Sequence, residues 1–212
     1  GWPGFSGRDA KRIAAAAKEA GVKKIDHVII THHHMDHVGG ALQLVERIPV
    51  GTFYDKGPNT ETGDRVKELN EMYEKAVATA KHVVVKAGDK IPVKGLDVKV
   101  VAANGQFAEP VSTKPNPLCG GIEKKAPDPT ENALSVGVKI TYGKFRIVDM
   151  GDLTWNKELE AVCPADRIGP ADVYSTTHRG LDSSNALPIV QTVAARVTTM
   201  NNGARKGGSP GA

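Results

Sequence analysis

The sequence predicts an α/β protein, built as a sandwich of two mixed β-sheets flanked by helices (αββα). Apolar, β-branched runs of strand length alternate with amphipathic, helix-length segments in both halves of the chain, which is typical of layered α/β architectures. The 212 residues can bury a substantial core and fit one domain, residues 1–212. The apolar fraction of 40% is ordinary for a globular protein, and no apolar run approaches membrane-spanning length.

The elements of the first half follow from hydrophobic periodicity and from stop signals. Residues 8–20 contain good helix formers with apolar side chains on one face, and Gly21 follows as a stop. Residues 25–31 are apolar and β-branched, which predicts a buried strand. Residues 64–80 carry apolar side chains at helical spacing. The other elements predicted here are a helix over 41–47 and strands over 50–54, 82–86, 90–93 and 96–102.

The second half begins with a long segment rich in Gly, Pro, Asn and Lys, residues 104–131. A loop of this length is unusual inside a domain and is often functional. Residues 133–142 and 144–150 follow as a strand hairpin that turns at Gly143. The remaining predicted elements are helices over 156–162 and 186–194 and strands over 172–176 and 196–200.

Three histidines and an aspartate directly follow the first predicted strand. Residues 31–40 read Thr-His-His-His-Met-Asp-His-Val-Gly-Gly, which places His32, His34, Asp36 and His37 in a His-x-His-x-Asp-His pattern. His32 and His34 would share one face of an extended segment, whereas Asp36 and His37 are adjacent and need the backbone to curl. Imidazole and carboxylate together suit Zn²⁺, Fe²⁺ or Mn²⁺. A purification tag or a surface cluster would not follow an apolar strand or contain a spaced aspartate, so the pattern predicts a metal site.

This pattern and two later segments resemble the metallo-β-lactamase superfamily. Residues 144–152, Lys-Phe-Arg-Ile-Val-Asp-Met-Gly-Asp, resemble the strand ending in Gly-Asp that supplies the metal-bridging carboxylate of that superfamily. Residues 172–180, Asp-Val-Tyr-Ser-Thr-Thr-His-Arg-Gly, resemble its later strand-to-His turn. The second segment is most similar to the competence-protein ComEC nuclease-type branch, which has His-His-Gly where this chain has Arg179 as the middle residue. The resemblance implies the metallo-β-lactamase fold and a metallo-hydrolase.

The resemblance also implies a binuclear centre. It places His32 and His34 in one metal site and Asp36, His37 and His178 in a second, with Asp152 bridging the two. From the residues alone, Asp152 and His178 each follow an apolar strand, and strand ends in layered α/β folds converge at one sheet edge. Local sequence leaves two alternatives open, because Asp152 could cap the helix that follows and His178 could be a surface turn residue.

The family's third histidine of the first site has no counterpart, since no histidine lies between His82 and His178. In the corresponding turn, Glu131 or Asn132 could donate an oxygen, which is a harder ligand than imidazole and would weaken the Zn²⁺ preference while leaving Mn²⁺ suitable. Asn132 could equally hold the loop through backbone hydrogen bonds. We therefore expect the first site to bind metal more weakly than the second.

These residues predict a hydrolase that uses a metal-activated water, with one or two Zn²⁺ ions or with Mn²⁺ or Fe²⁺ in their place. Asp36 and Asp152 are expected to orient or deprotonate the water. Asn132 is one candidate substrate contact. Arg179 has two interpretations: it is a second substrate contact, donating bidentate hydrogen bonds to phosphate or carboxylate, or it is an exposed turn residue. The ComEC-type similarity, Arg179 and the positive net charge favour a phosphodiester or related ester. Two alternatives stay open: hydrolysis of a β-lactam or lactone ring, and a metal-binding domain with little catalytic activity.

Composition limits the partners only broadly. The net charge is +4 with a pI near 9.0, but the basic residues are spread along the chain and form no block that would predict duplex DNA binding. We expect a small-molecule or phosphodiester substrate, with nucleic acid only weakly supported. Cys119 and Cys163 lie in no metal-ligand spacing and are expected to be unpaired, buried or idle thiols, which leaves the cellular compartment open.

The two ends of the sequence suggest that the fold lacks elements at its ends. The chain starts Gly-Trp-Pro-Gly without Met or a signal-peptide pattern and ends in a turn-rich tail, residues 201–212. Members of the superfamily have a strand hairpin before the first helix, and residues 2–5 resemble only the loop that would follow it. We therefore expect a fold truncated at its N-terminus, with loss of a final element left open, that self-associates because an edge or face of the first sheet is uncovered near residues 25–30. The alternative is that Trp2, Pro3 and Phe5 fold back to cover this gap.

Overall fold

The computed structural model describes residues 1–202, so most of the predicted turn-rich tail, from residue 203 onward, lies outside the described residues. The chain divides into two compact units, Gly1–Val85 and Lys86–Ala212, and each contains a β-sheet and helices. Within residues 1–202, no helix combines the length and the apolar character needed to span a bilayer.

The first unit contains a three-stranded sheet and four helices. The sheet has the order β1-β2-β3, and both strand pairs are parallel. In chain order the elements are α1 (Gly4–Glu19), β1 (Ile25–Ile29), α2 (Met35–Val38), α3 (Ala41–Val45), β2 (Val50–Asp55), α4 (Asp64–Val77) and β3 (Lys81–Val84).

Helix α4 covers the sheet of this unit with its apolar face. Leu69, Tyr73 and Ala76 are one turn apart and buried, as the helical spacing of apolar residues predicted, and they pack against Phe53 of β2, which is fully buried. Parallel strands need crossover helices between them. The alternation of strands and helices in residues 25–84 therefore dictates this parallel sheet.

Over residues 86–202, the second unit contains a seven-stranded mixed sheet. The main path has the order β10-β9-β8-β7-β5-β4, with β6 beside β5; the β8–β9 and β9–β10 pairs are parallel and the other pairs are antiparallel. In chain order its elements are β4 (Lys90–Ile91), β5 (Asp97–Ala103), β6 (Gln106–Phe107), β7 (Gly137–Tyr142), β8 (Phe145–Asp149), α5 (Trp155–Val162), β9 (Val173–Ser175), α6 (Leu187–Val193) and β10 (Val197–Thr199).

Helices α5 and α6 pack against one face of this second sheet. Val148 on β8 and Tyr174 on β9 are buried together with Leu159 of α5 and Ile189 of α6 in one apolar cluster. The parallel pairing of β8 with β9 places their C-terminal ends next to each other, and the two predicted ligands of this unit follow those strand ends.

The predicted fold class is confirmed: the chain is α/β, with two sheets flanked by helices. Mixed pairing was expected in both sheets, but the described strands of the first sheet pair only in parallel. Helix α1 begins at Gly4, so residues 4 and 5 are helical where the sequence suggested a loop. The expectation that residues 1–212 form one domain stays a prediction.

The two cysteines contradict the expectation of unpaired thiols. Cys119 and Cys163 form a disulfide whose Cα atoms are 5.8 Å apart and whose partners are 44 positions apart in sequence. The prediction was wrong because it rested on local spacing. In the fold, the long loop turns back onto α5, where the Asn116 side chain donates hydrogen bonds to the Val162 carbonyl at 3.0 Å and to Thr192 Oγ1 at 2.8 Å.

Candidate metal centre

The His-x-His-x-Asp-His segment leaves the end of β1 as extended chain and then curls. His34 is still extended (φ −85°, ψ 153°), and the next residues form the short helix α2, which contains Asp36 and His37. The predicted change from strand-like to curled backbone is therefore present. Because of this change, the adjacent residues Asp36 and His37 lie on a helical turn, directly after the extended segment that carries His32 and His34.

Two glycines after this turn are required by space. A Cβ on Gly39 would lie 2.5 Å from the Met35 carbonyl oxygen, and one on Gly40 would lie 3.0 Å from the Gly1 carbonyl oxygen. Both residues have negative φ, −62° and −88°, so glycine is not required here for a left-handed backbone conformation. A side chain at Gly39 would clash within the ligand turn itself, and one at Gly40 would press on the Gly1 backbone.

Thr31 orients two of the imidazoles. Its Oγ1 lies 3.1 Å from His32 Nδ1 and 3.2 Å from His37 Nδ1, and the two ring centroids are 3.9 Å apart. A hydroxyl oxygen has two lone pairs, so it can accept an Nδ1–H from both rings. That tautomer leaves the Nε2 lone pair of each ring for a metal ion.

His34 presents its opposite nitrogen. Its Nε2 lies 3.0 Å from Glu61 Oε1, and its Nδ1 lies 3.1 Å from His32 Nε2. Two ring nitrogens with this separation can both be ligands of one ion, for which Zn–N distances are about 2.0–2.1 Å. The donor set of the first unit therefore fits a transition-metal ion.

Asp152 follows the end of β8 through a sharp turn. Gly151 has a φ of +59°, a conformation that glycine adopts readily. The Asp152 N–H donates to Ser135 Oγ at 3.3 Å, and the residue is buried with 5% exposure. The N-cap of α5 is Thr154, so the alternative of Asp152 as that cap is not what the structure shows.

His178 and Arg179 form a strained turn beside Asp152. Both have left-handed backbone conformations, φ +49° and +57°, which are uncommon for residues other than glycine and concentrate at functional sites. His178 Nδ1 lies 3.0 Å from Ser183 Oγ, and its Nε2 lies 3.8 Å from Asp152 Oδ2. The Arg179 guanidinium lies 3.6 Å from the same carboxylate oxygen, so Arg179 is tied to the site and is not simply an exposed turn residue.

Glu131 and Asn132 lie in a short 3₁₀ helix, Glu131–Leu134, and both are buried. Thr130 caps this helix, because its side chain accepts the Asn132 N–H. The Asn132 Oδ1 atom has no hydrogen-bond partner among the described residues. The Asn132 side-chain oxygen therefore makes no hydrogen bond to the loop among the described residues, and a buried acceptor of this kind is costly unless a donor or cation meets it.

The histidines outside the predicted ligand set have other partners. His27 Nδ1 lies 3.0 Å from the Tyr54 hydroxyl, and His82 Nε2 lies 2.7 Å from Asp55 Oδ2. His33 is buried against the ring of Tyr73, with ring centroids 5.3 Å apart. Each of these three rings therefore contacts a side chain outside the predicted ligand set.

Within each unit, then, the predicted ligands come together. The first unit gathers His32, His34 and His37, and the second gathers Asp152 and His178. Convergence of the two groups on one centre stays a prediction. Thr31, Glu61 and Ser183 were missed as supporting residues; Thr31 adjoins the motif and could have been suspected, whereas the other two contacts carry no local sequence signal.

The turn that carries His178 is held by a buried carboxylate on α5. Glu158 is fully buried and accepts the N–H groups of Asn185 at 2.9 Å and of Ala186 at 2.8 Å. Burial raises the pKa of the Glu158 carboxyl to about 7, while the hydrogen bonds from Ala186, Asn185 and the Thr177 side chain act in the opposite direction.

This raised pKa predicts a pH-dependent stability. Between about pH 4.5, the usual value, and about pH 7, folded Glu158 keeps a proton that the unfolded chain has lost, so its contribution to the free energy of unfolding falls as pH rises through this window. We expect wild type to lose roughly 2 kcal/mol relative to Glu158→Gln between pH 5 and pH 8. Urea titrations at both values measure this difference. The control is Glu160→Gln on the same helix, and a Glu158→Gln difference that does not vary with pH would contradict the prediction.

Comparison with known proteins agrees with this geometry. A model of the metallo-beta-lactamase superfamily matches residues 3–122. The hydroxyacylglutathione hydrolase of Erwinia tasmaniensis is 31% identical over 101 residues, which cover 44% of this chain and 31% of that protein. The hydroxyacylglutathione hydrolase of Idiomarina loihiensis is 27% identical over 94 residues, covering 44% and 30%. The match thus spans about a third of the length of these curated relatives.

Among solved structures, the chain is similar to the metallo-beta-lactamase fold protein YhfI from Bacillus subtilis. The identity is 12% and the TM-score 0.47, with 89% of this chain and 72% of that chain covered. The superfamily model covers more than half of the 212 residues. The chain therefore belongs to the metallo-beta-lactamase superfamily, as its motifs predicted.

Proposed function

We propose that this protein is a metal-dependent hydrolase that cleaves a phosphodiester or related ester with a metal-activated water. The observation that carries the proposal is the orientation of three imidazoles in the first unit. In each of His32, His34 and His37, one ring nitrogen lies within hydrogen-bond distance of a protein oxygen. The other ring nitrogen can carry the lone pair that binds a metal ion. Three pre-oriented imidazoles of this kind are typical of a metal centre.

In this proposal His32 and His34 hold one ion, and Asp36, His37 and His178 hold a second. Asp152 is shared by both. Zn²⁺ suits the nitrogen-rich set best, and Mn²⁺ or Fe²⁺ also fit a mixture of imidazole and carboxylate. The buried Asn132 oxygen is the best candidate for completing the first site, because it has no hydrogen-bond partner among the described residues.

The chain's own residues then have distinct tasks. A bound divalent cation supplies a water with a pKa near neutrality and stabilises negative charge on the attacked group. Asp36, whose side chain is 36% exposed, can accept a proton from that water, and the more buried Asp152 orients it. The Arg179 guanidinium lies beside Asp152 and can donate to an anionic oxygen of the substrate, which favours a phosphodiester.

A second candidate is hydrolysis at a carbonyl carbon, as in a lactone or a β-lactam. The curated relatives favour it to the extent that both are named as hydrolases of hydroxyacylglutathione. A third possibility is a metal-binding domain with little activity, since the first site lacks its third imidazole.

A substrate panel separates these candidates. The full chain, loaded with Zn²⁺ or Mn²⁺, is assayed on bis-p-nitrophenyl phosphate, p-nitrophenyl acetate, a chromogenic cephalosporin and a hydroxyacylglutathione. We expect turnover of the phosphodiester that a chelator abolishes and added metal restores. Turnover of the carbonyl substrates alone would favour the second candidate, and bound metal without turnover of any substrate would favour the third.

A further inference from the structure

We infer that Glu61 is a positioning residue of the proposed metal centre and that it acts through His34. The inference rests on the proposed function, because it assigns Glu61 a role toward the metal that His34 is proposed to bind. It goes further in naming a carboxylate that lies outside every motif of the sequence.

The contact between the two side chains fixes which nitrogen of His34 faces the metal. Glu61 Oε1 lies 3.0 Å from His34 Nε2, and both side chains are more than two-thirds shielded from solvent. A carboxylate accepts but does not donate, so it favours the tautomer with the proton on Nε2. The lone pair then resides on Nδ1, the atom that lies 3.1 Å from His32 Nε2.

The backbone at Glu61 is itself held in place from the helix side of the first unit. The Glu61 N–H donates to Asn59 Oδ1 at 3.0 Å, and Asn59 Nδ2 donates to Asn70 Oδ1 on α4 at 3.1 Å. This chain of hydrogen bonds runs from a packed helix through the 56–63 loop to Glu61, whose carboxylate meets the ring of His34. The fold therefore positions the segment that carries Glu61.

This arrangement matters most for the weaker site. The first site has two imidazoles, so the orientation and basicity of each ring have a large share in its affinity. A carboxylate on the far nitrogen raises the basicity of the ligating nitrogen, and removing such a partner typically lowers metal affinity 10–100-fold. An ion pair that keeps more than a quarter of each side chain in contact with solvent contributes little to folding, so the effect of Glu61 should appear in metal binding more than in stability.

The test compares Glu61→Ala, Glu61→Gln and wild type as full chains, with Zn²⁺ alone as the probe. Zn²⁺ affinity is measured by competition with a chromophoric chelator, Co²⁺ absorption reports the ligand geometry, and thermal melts of the metal-free proteins report the fold. The matched control is Glu68→Gln, which removes one negative charge from the exposed face of α4.

We expect the weaker Zn²⁺ equivalent to lose about 10–100-fold in affinity in Glu61→Ala. The loss should be smaller in Glu61→Gln, whose amide oxygen still accepts the Nε2–H, and the tighter equivalent should be unchanged in both. Unchanged affinity and Co²⁺ spectrum in Glu61→Ala would overturn the assignment of Glu61 alone, as would a loss that merely follows a lower metal-free melting temperature. Failure of wild type to bind Zn²⁺ would overturn the proposed function and this assignment with it.

Discussion

Replacing His37 with alanine should lower both metal affinity and hydrolytic activity by well over about 100-fold. Residues that only orient a metal ligand are worth 10–100-fold, so a direct ligand should be worth more. The structure presents His37 for this role through Thr31, which engages its Nδ1, and through the short turn of α2. Zn²⁺ competition and the rate on the responsive substrate of the panel measure the two effects.

The control for this substitution is His27→Ala, since His27 lies in β1 and contacts Tyr54 instead of a predicted ligand. Its activity should stay within about twofold of wild type. A double-mutant cycle with His178→Ala adds a test of convergence, because ligands of one ion act as a unit and their losses should not add. Equal losses in His27→Ala and His37→Ala, or fully additive losses in the cycle, would contradict the shared site.

Removing the Cys119–Cys163 disulfide should destabilise the protein by about 4 kcal/mol, because the bond closes a loop of 44 positions and restricts the unfolded chain accordingly. For a chain of this length the melting temperature should fall by roughly 8–16 °C. The bond also pins the long 104–131 loop to the end of α5, so the reduced protein should be cleaved by proteases first in that loop.

The measurement is a thermal melt of wild type with and without a reductant, compared with the Cys119→Ser/Cys163→Ser double variant. Each single variant should melt like the double variant, since either one removes the bond. Reductant should have no further effect on the double variant. Identical melts of oxidised and reduced wild type would show that the disulfide does not contribute to stability.

Local sequence patterns were enough for most of the secondary structure and for the backbone around the candidate ligands. The apolar strand before His32, the curl at Asp36 and the Gly-Asp turn at Asp152 all depend on residues within a few positions of each other. Hydrophobic period and glycine placement report such features directly. For this reason the strand–turn–helix around the motif agrees with the structure to within a few residues.

Local sequence patterns did not predict the long-range contacts. The disulfide joins residues 44 positions apart, and the Glu61–His34 contact joins residues 27 positions apart through a loop with no periodic pattern. The role of Glu158 was missed for the same reason. A glutamate on an amphipathic helix is expected to be exposed, and only the contacts with Asn185 and Ala186 show that this carboxylate is buried and paired. Such contacts depend on how distant segments pack, which composition and spacing do not encode.

The central claim is that six residues from distant parts of the chain form one metal centre. A crystal structure of the full chain grown with Zn²⁺, with anomalous data at the zinc edge, tests it most directly. We expect one ion on His32, His34 and Asp152 and a second on Asp36, His37, His178 and the same Asp152, with the second the more fully occupied. Zinc bound elsewhere, or Asp152 and His178 lying far from any zinc on the His32–His37 turn, would contradict it.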